Sequence, residues 1–233
     1  MAKVSFVAPV YNKAAWISRA IESMLEQSLT DIEVLFVNDG STDGTADVIK
    51  YYMKQDKRVR MIGYRNNRGL GKAWNIGIWE ARSSIICVSS GDDVHEKDRA
   101  KITYEYMTKH PEVDVFYGSY WYVGPNLELW QFKPAIPYNK EKLLTPRKDG
   151  FCPQYIGHIT MAYRKKVGLM IPHQEKFKVG IDYPLLCDFA KKNCKFGWTK
   201  KIMAFAPLLS SGVSVRDRKE VDKTTQTTIK ENI

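Results

Sequence analysis

The sequence predicts an α/β fold with a mostly parallel central sheet flanked by helices, and two patterns support that prediction. Short apolar runs that suit buried strands, such as Val34-Leu35-Phe36-Val37, alternate along the chain with segments whose apolar residues recur at helical spacing. Strands that alternate with helices usually join a parallel sheet through right-handed crossovers. A chain of 233 residues is long enough for one large domain with its own hydrophobic core.

The alternation of strands and helices is clear in the first half of the chain. A first strand is predicted at 4–9, where it ends in Pro-Val-Tyr-Asn, and a helix follows at 14–27. The next predicted elements are, in order, strand 33–37, helix 45–55, strand 58–64, helix 70–81, strand 84–89, helix 97–110 and strand 113–120. Pro111 stops the last of these helices, because proline cannot continue the helical hydrogen bonds.

The pattern loosens after Gly124, where prolines interrupt a stretch rich in aromatic residues. A strand-like segment at 158–164 and a helix at 183–192 are the clearest elements there. We expect one domain over 1–215, divided into a first half at 1–120 and a second half at 121–215. The polar tail at 216–233 is weakly apolar, so it is either a capping helix or frayed.

The composition is that of a globular chain, with 44% hydrophobic and 27% charged residues. The formal charge of +10 would attract nucleic acid, anionic lipid or nucleotide phosphates, although solubility alone also accounts for such an excess. The charges are spread along the chain, and no groove-reading motif accompanies them, so we expect no nucleic-acid partner.

The sequence also favours a cytoplasmic protein. The first predicted strand begins too near the N-terminus to leave room for a signal peptide, and no apolar run approaches the ~20 residues that cross a bilayer. The cysteines lack CxxC spacing, and we expect them to be reduced and packed rather than paired or bound to metal: Cys87, Cys152, Cys187 and Cys194.

Acidic residues follow two of the predicted strands. Asp39 comes after strand 33–37, and Asp92 and Asp93 come after strand 84–89. Open α/β sheets bind ligands outside the carboxyl ends of their strands. Adjacent carboxylates raise each other's pKa, and a Mg²⁺ or Mn²⁺ ion held together with substrate phosphates would explain their proximity. The alternative is a solvated turn in which one aspartate caps the next helix.

Two common nucleotide motifs are missing. The segment 67–77 contains Gly71-Lys72, but it lacks the GxxxxGK[ST] spacing of a phosphate loop because Ala73 follows the lysine. No GxGxxG sequence follows the first strand. The sequence therefore gives little support to an ATPase or a dinucleotide-binding enzyme.

Three segments together carry a specific resemblance. "FVAPVYNKAAWISRAIESMLEQSLTDIEVLFVNDGSTDGT" at 6–45, "NRGLGKAWNIGI" at 67–78 and the acidic "GDD" at 91–93 closely resemble family 2 glycosyltransferases of the GT-A fold. A weaker similarity extends to "GIDYPLLCDFAKK" at 180–192. The resemblance implies a nucleotide-diphosphate sugar donor bound by 1–120, an acceptor bound by 121–215, a divalent metal and inversion at the anomeric carbon.

The resemblance also assigns donor contacts. Its first loop would border the base and ribose, the acid after the second strand would bond the pyrimidine edge, and the segment 67–78 would help to hold the donor. The residues that match, with the acidic pair, are Pro9, Val10, Tyr11, Asp39, Ser41, Arg68, Lys72, Asp92 and Asp93. The family often has a basic residue where Trp74 stands, and that departure leaves one donor contact unassigned.

The metal motif implied by the resemblance is Asp-x-Asp, and Ser90 occupies its first position. Asp92 is then the expected direct ligand, and Asp93 is a ligand, a water-mediated partner or a sugar contact. Many relatives also carry a histidine where this chain has Leu208 and Leu209, so we expect the metal ion to have fewer protein ligands here and to bind more weakly.

Asp182 matches the catalytic base of the family, although Ile181 replaces the glutamate that usually precedes it. An inverting transfer needs one carboxylate to take the proton from the acceptor hydroxyl. The alternative is that Asp182 only begins a helix. His158, Trp121 and Trp130 are candidate acceptor contacts, although each could equally be a packed structural residue.

We therefore expect an inverting hexosyltransferase that uses a UDP-sugar and a saccharide or glycolipid acceptor in surface polysaccharide or glycolipid assembly. Its positive charge could also bring it to the inner membrane face as a peripheral protein. Two alternatives stay open. The departures at Ser90, Trp74, Ile181 and Leu209 would also suit a sugar-nucleotide-binding protein without transfer activity, and the charge alone suggests a nucleic-acid binder.

Overall fold

The computed structural model describes residues 2–145, 155–177 and 180–208, together with 223, 224, 226–228, 230 and 231. In these ranges no helix is both long and apolar enough to span a bilayer. Cys87 and Cys187 are buried, Cys194 is half-buried, and Cys152 lies outside the described residues. Most of the predicted tail at 216–233 lies outside them as well.

The first half of the chain forms a parallel sheet with helices, as predicted. Its strands lie in the order β3-β2-β1-β4, and each neighbouring pair is parallel. The elements are β1 (Val4–Val10), α1 (Ile17–Leu25), β2 (Ile32–Asp39), α2 (Thr45–Gln55), β3 (Val59–Tyr64), α3 (Leu70–Glu80) and β4 (Ile85–Val88). The helix predicted at 14–27 is therefore shorter at both ends.

The second half extends the same sheet in a mixed arrangement. Its elements are β5 (Val94–His95), α4 (Arg99–Lys109), β6 (Val115–Val123), β7 (Leu129–Lys133), α5 (Lys140–Leu144), a 3₁₀ turn (His158–Thr160), β8 (Ala162–Arg164), α6 (Lys165–Met170), α7 (Asp182–Lys191) and β9 (Phe196–Pro207). The strand order continues β4-β8-β6-β9-β5, with β7 paired to β6 outside this path. β8 is antiparallel to both of its neighbours, and β9 is parallel to β6.

Two apolar layers cover the two faces of the sheet. Phe6 and Phe36 pack in the layer that contains α1, whereas Val7 and Leu35 face the layer that contains α3. Both faces are buried, which explains why the strands read as continuous apolar runs. The α3 layer is tight: a Cβ on Gly77 would lie 2.5 Å from Cγ1 of Val7.

Part of the predicted second half differs from the structure. The strand predicted at 158–164 is a 3₁₀ turn followed by the short strand β8. The helix predicted at 183–192 begins one residue earlier, at Asp182. β9 was not predicted, because Lys200 and Lys201 break its apolar pattern in the middle.

Candidate functional site

The candidate donor residues gather at one edge of the sheet. β1, β2 and β4 are parallel neighbours, so their carboxyl ends meet there. Pro9 and Val10 are the buried last residues of β1, and Tyr11 follows with 40% of its surface exposed. Asp39 is the last residue of β2, and only 3% of its surface is exposed. Of the three first-loop residues, Tyr11 alone presents an exposed side chain to this edge.

The polar turn after β2 fastens the loop after β1. The Ser41 hydroxyl accepts the Asn12 backbone N–H at 3.1 Å, and the Asn12 side chain accepts the Thr42 N–H at 2.8 Å. The Thr45 hydroxyl accepts the Lys13 N–H at 2.7 Å, and Asp43 accepts the Ala14 N–H at 3.1 Å. These hydrogen bonds join the turn at 41–45 to the loop at 12–14, and the joined pair is called the loop frame below. Ser41 is part of this loop frame.

Asp39 holds a second loop at the same edge. One of its carboxylate oxygens accepts the Arg68 N–H at 2.7 Å, and the other accepts the Gly69 N–H at 3.0 Å. Gly40 follows with a φ of +75°, and a Cβ there would lie 2.5 Å from the Asn66 carbonyl carbon, so only glycine fits. Each carboxylate oxygen retains a further lone pair for another donor.

The two candidate cationic donor contacts differ in position. The exposed Arg68 places its guanidinium 4.4 Å from the centre of the Tyr64 ring, which holds it beside the loop. Lys72 is half-buried in the first turns of α3. Trp74, where the resemblance implies a basic residue, is buried and belongs to the core.

The acidic turn after β4 is tightly linked internally. The Ser90 hydroxyl lies 2.6 Å from an oxygen of Asp92 and 2.6 Å from an oxygen of Asp93. The ammonium of Lys13 pairs with the other oxygen of Asp92. Ser90 thus stands where the resemblance implies a carboxylate, and its hydroxyl contacts both Asp92 and Asp93.

The two carboxyl groups have different environments. The pKa of Asp93 is raised to about 7, first by burial and then by the charge of Asp92, although the Ser90 hydrogen bond and the charges of Arg99 and Lys13 partly oppose that rise. A hydroxyl has one hydrogen, so Ser90 donates to one carboxylate at a time. A proton on Asp93 would satisfy the second contact.

A buried arginine lies behind this turn. Arg99 is fully buried and donates to the backbone carbonyls of Val88 at 2.7 Å and Met161 at 3.1 Å. Its other terminal nitrogen lies 2.6 Å from Nδ1 of His95. Burial and the nearby Arg99 charge hold the pKa of His95 well below its usual value, so the imidazole is neutral and can accept this bond. Arg99 joins the end of β4 to the segment that carries His158.

The acidic turn has the chemistry of a magnesium or manganese site. Carboxylate and hydroxyl oxygens are hard ligands, and a divalent cation would offset the repulsion between Asp92 and Asp93. In the described ranges no three His, Cys, Asp or Glu side chains converge on one point. The residues therefore fit an ion held by one or two carboxylates and completed by substrate phosphates.

Asp182 lies beside a candidate acceptor residue. It is the first residue of α7, and its side chain is 38% exposed. One carboxylate oxygen lies 3.3 Å from Nδ1 of the largely buried His158. Burial lowers the pKa of His158, and the carboxylate only partly opposes that effect. At neutral pH the ring is therefore uncharged and can donate Nδ1–H to Asp182.

A second histidine completes a ring cluster that the sequence did not indicate. His173 is 2% exposed and stacks on Trp74 with ring centres 5.1 Å apart, and His158 meets both rings edge-on. Neither ring nitrogen of His173 has a hydrogen-bond partner among the residues that the structure describes. Burial lowers its pKa well below the usual value. The cluster fixes the position of His158 beside Asp182.

The aromatic acceptor candidates Trp121 and Trp130 lie on the β6–β7 pair. Trp121 on β6 packs against Phe132 on β7, with ring centres 5.1 Å apart, and Trp130 lies at the register shift between the two strands with 52% of its surface exposed. Tyr120 points the other way from Trp121, towards Gly157, and its pKa is raised mainly by burial, with smaller contributions from Tyr122 and from the charge of Asp182. Tyr120 is therefore a candidate acceptor residue that the sequence missed, although the period-two alternation of β6 could have indicated it.

Comparison with known sequences decides the family. Residues 5–168 match the family described as "Glycosyl transferase family 2". The chain belongs to this family. The resemblance found in the sequence is thereby confirmed, and the matched range includes the candidate donor residues and the acidic turn.

Curated relatives match part of this chain. It is 31% identical over 118 residues to "Glycosyltransferase GlyG" of Streptococcus pneumoniae serotype 4, which covers 51% of this chain and 39% of that protein. It is 42% identical over 90 residues to "Uncharacterized glycosyltransferase EpsJ" of Bacillus subtilis, which covers 39% of this chain and 26% of that protein. The chain thus spans well under half the length of either relative.

Solved structures confirm the GT-A fold. S. aureus TarS 1-349 in complex with UDP superposes with a TM-score of 0.67 at 22% identity, covering 100% of this chain and 65% of that one. The mannosyltransferase PcManGT from Pyrobaculum calidifontis, in complex with GDP-Man and Mn²⁺, superposes with a TM-score of 0.66 at 13% identity, covering 99% of this chain and 73% of that one.

Proposed function

We propose that this chain is an inverting glycosyltransferase that moves a hexosyl group from a nucleotide-diphosphate sugar, a UDP-sugar first among them, to a hydroxyl acceptor. The observation that carries the proposal is the meeting of Tyr11, Asp39 and the acidic turn at one sheet edge. Family membership supports it. Proteins of the same fold bind UDP, UDP-GlcNAc or GDP-Man, which supports a nucleotide-sugar donor.

The donor base would lie between the first loop and Asp39. The exposed Tyr11 ring offers a surface for the base and ribose, and a free lone pair of Asp39 can accept an N–H from the base edge. Arg68 and Lys72 would add positive charge beside the phosphates. Pro9, Val10 and Ser41 would act through the loop frame, since their side chains are buried or engaged within it.

Asp92 and Asp93 would hold the Mg²⁺ or Mn²⁺ ion with the donor diphosphate. When bound, this ion would neutralise the diphosphate and stabilise its charge as it leaves. Ser90 would orient both carboxylates through its two contacts. The Mn²⁺ held by the mannosyltransferase of the same fold supports this assignment.

Asp182 would act as the general base on the acceptor hydroxyl. Its partial exposure leaves the carboxylate open to an acceptor, and the neutral His158 can donate to one oxygen while the other faces the acceptor. Removal of the proton would accompany attack on the anomeric carbon and inversion. Trp121, Trp130 and Tyr120 would be further acceptor contacts, with Trp121 and Tyr120 on opposite faces of β6.

The biological setting that we propose is the assembly of a surface polysaccharide or a glycolipid in the cytoplasm. The excess of positive charge would favour acceptors at an anionic membrane face, where the protein would bind peripherally. This part of the proposal rests on the family and the charge alone.

The test is a transfer assay with wild type, Asp182→Asn and the matched control Asp188→Asn from the same helix. Purified protein is incubated with a panel of UDP-hexoses, Mn²⁺ and saccharide or lipid-linked acceptors, and nucleotide release and product configuration are measured. Loss of a positioned base should lower kcat by ~10² to 10⁴ in Asp182→Asn only, with UDP affinity unchanged. UDP binding without transfer by wild type would instead indicate the inactive sugar-nucleotide-binding protein.

A further inference from the structure

Lys13 pairs with Asp92, the carboxylate that is the expected direct metal ligand. Its ammonium pairs with Oδ2 of Asp92, while Ser90 contacts Oδ1 at 2.6 Å. The side chains of the pair are only 14% and 16% exposed, so water screens this ion pair less than a surface one. Both oxygens of the expected direct metal ligand therefore already have partners within the chain.

The local fold holds Lys13 at this place. Its backbone N–H donates to the Thr45 hydroxyl at 2.7 Å, and its carbonyl accepts the N–H groups of Trp16 and Ile17 at 2.9 and 3.0 Å. The aliphatic part of its side chain lies against the acidic turn, because a Cβ on Gly91 would be 3.0 Å from both Cβ and Cγ of Lys13. The glycine leaves the space through which the lysine reaches Asp92.

We propose that Lys13 is a built-in competitor of the divalent cation: its ammonium holds Asp92 while the donor site is empty and must leave before Asp92 can bind the metal. This inference rests on the proposed function and concerns the control of its metal site. An ammonium and a metal ion cannot occupy the same side of one carboxylate oxygen, and their like charges repel each other.

The competition would couple metal binding to donor binding. A metal ion added without nucleotide must displace Lys13 from Asp92 and offers the ammonium no other anion to pair with. The affinity of the protein for the metal ion is therefore reduced. A nucleotide diphosphate brings negative charge to the same edge, with which a displaced ammonium can pair. The metal and the nucleotide then each tighten the binding of the other by the same factor, as linkage requires.

The experiment measures Mn²⁺ binding without nucleotide by titration and by the electron paramagnetic resonance signal of free Mn²⁺. The variants are Lys13→Met, the conservative Lys13→Arg, the remote charge control Lys50→Met and the ligand control Asp92→Asn. Lys50 is 58% exposed on α2, where it pairs with the 82% exposed Asp47, so its substitution changes the net charge and one surface ion pair. Circular dichroism establishes that each variant folds.

We expect Lys13→Met to bind Mn²⁺ about tenfold more tightly than wild type, which corresponds to about 1.4 kcal/mol. Lys13→Arg and Lys50→Met should stay within about twofold of wild type, which is well under 1 kcal/mol, and Asp92→Asn should lose the site. The factor by which UDP tightens Mn²⁺ binding should also shrink in Lys13→Met. In a second measurement, amine acetylation of Lys13 relative to Lys50 should rise when wild type is saturated with Mn²⁺.

Equal or weaker Mn²⁺ binding by Lys13→Met would overturn the inference, as would Lys13 labelling that does not respond to saturating Mn²⁺. A wild-type protein and a Lys13→Met variant that both fail to bind Mn²⁺ would overturn it too. Titration of UDP on the same samples separates the two proposals. If UDP binds, only the role of Lys13 has failed, whereas absence of UDP binding counts against the proposed function itself.

Discussion

Replacement of Asp39 by asparagine tests whether this residue builds the donor edge in the way the structure indicates. The carboxylate ends β2 and accepts the backbone N–H groups of Arg68 and Gly69 at 2.7 and 3.0 Å. An asparagine has nearly the same shape, but it carries no charge and can offer an oxygen to only one of the two amides. The variant should therefore fold with a less firmly held loop.

The size of the effect follows from the hydrogen bonds. A bond to a charged group contributes about 1.5 to 3 kcal/mol, whereas a neutral bond contributes about 0.5 to 1.5 kcal/mol. Asparagine would keep a neutral bond to Arg68, and the Gly69 N–H would keep its 3.1 Å contact with the Asn67 side chain. We expect the free energy of unfolding to fall by about 2 kcal/mol.

Urea unfolding of wild type, Asp39→Asn and the exposed control Asp47→Asn measures this difference. With a slope of about 3 kcal/mol per molar urea, the midpoint should fall by about 0.7 M for Asp39→Asn. The control should shift by less than about 0.2 M, because the Asp47 side chain is 82% exposed. UDP affinity should fall at least about tenfold in Asp39→Asn. An unchanged midpoint together with unchanged UDP affinity would refute both roles of Asp39.

Three further substitutions test the packing around the site. Gly77→Ala should lower the free energy of unfolding by about 1 to 2 kcal/mol in urea, since the added Cβ would meet Val7 and outweigh the gain in helix propensity. His173→Phe keeps an aromatic ring on Trp74 but removes the imidazole. In the folded protein this imidazole stays neutral because burial lowers its pKa, whereas in the unfolded chain it takes up a proton once the pH falls below its usual pKa of 6.5. Wild type should therefore lose about 2 kcal/mol more stability than this variant between pH 8 and pH 5, and parallel pH profiles would contradict that expectation. Arg99→Met should cost about 3 kcal/mol in the same assay, because it leaves the buried carbonyls that Arg99 bonds without a donor; a loss below about 1 kcal/mol would count against its bridging role.

The first half of the fold could be predicted because local sequence determines it. Each parallel strand is an apolar run buried on both faces, and each helix has its own apolar periodicity, so these elements follow from nearby residues. β9 could not be predicted in this way. Lys200 and Lys201 interrupt it, and its pairing with β5 and β6 depends on residues far apart in the chain.

The same distinction holds within the candidate site. Asp39 and the acidic turn could be placed at one edge because they follow strands whose carboxyl ends must coincide. The pairing of Lys13 with Asp92 and that of His158 with Asp182 join residues remote in sequence, so no local pattern indicates them. The opposite directions of Tyr120 and Trp121 follow from strand alternation, but which of the two faces Gly157 depended on the tertiary fold, which the sequence did not define.

Calorimetric titration of UDP and GDP, each with Mn²⁺ and with EDTA, on wild type and Asp92→Ala, tests whether this edge of the sheet is a nucleotide-sugar site. We expect one nucleotide, UDP first, to bind in a Mn²⁺-dependent manner, and we expect the substitution to abolish this dependence. If neither nucleotide binds wild type in either condition, the proposal that the chain is a nucleotide-sugar-dependent glycosyltransferase is contradicted.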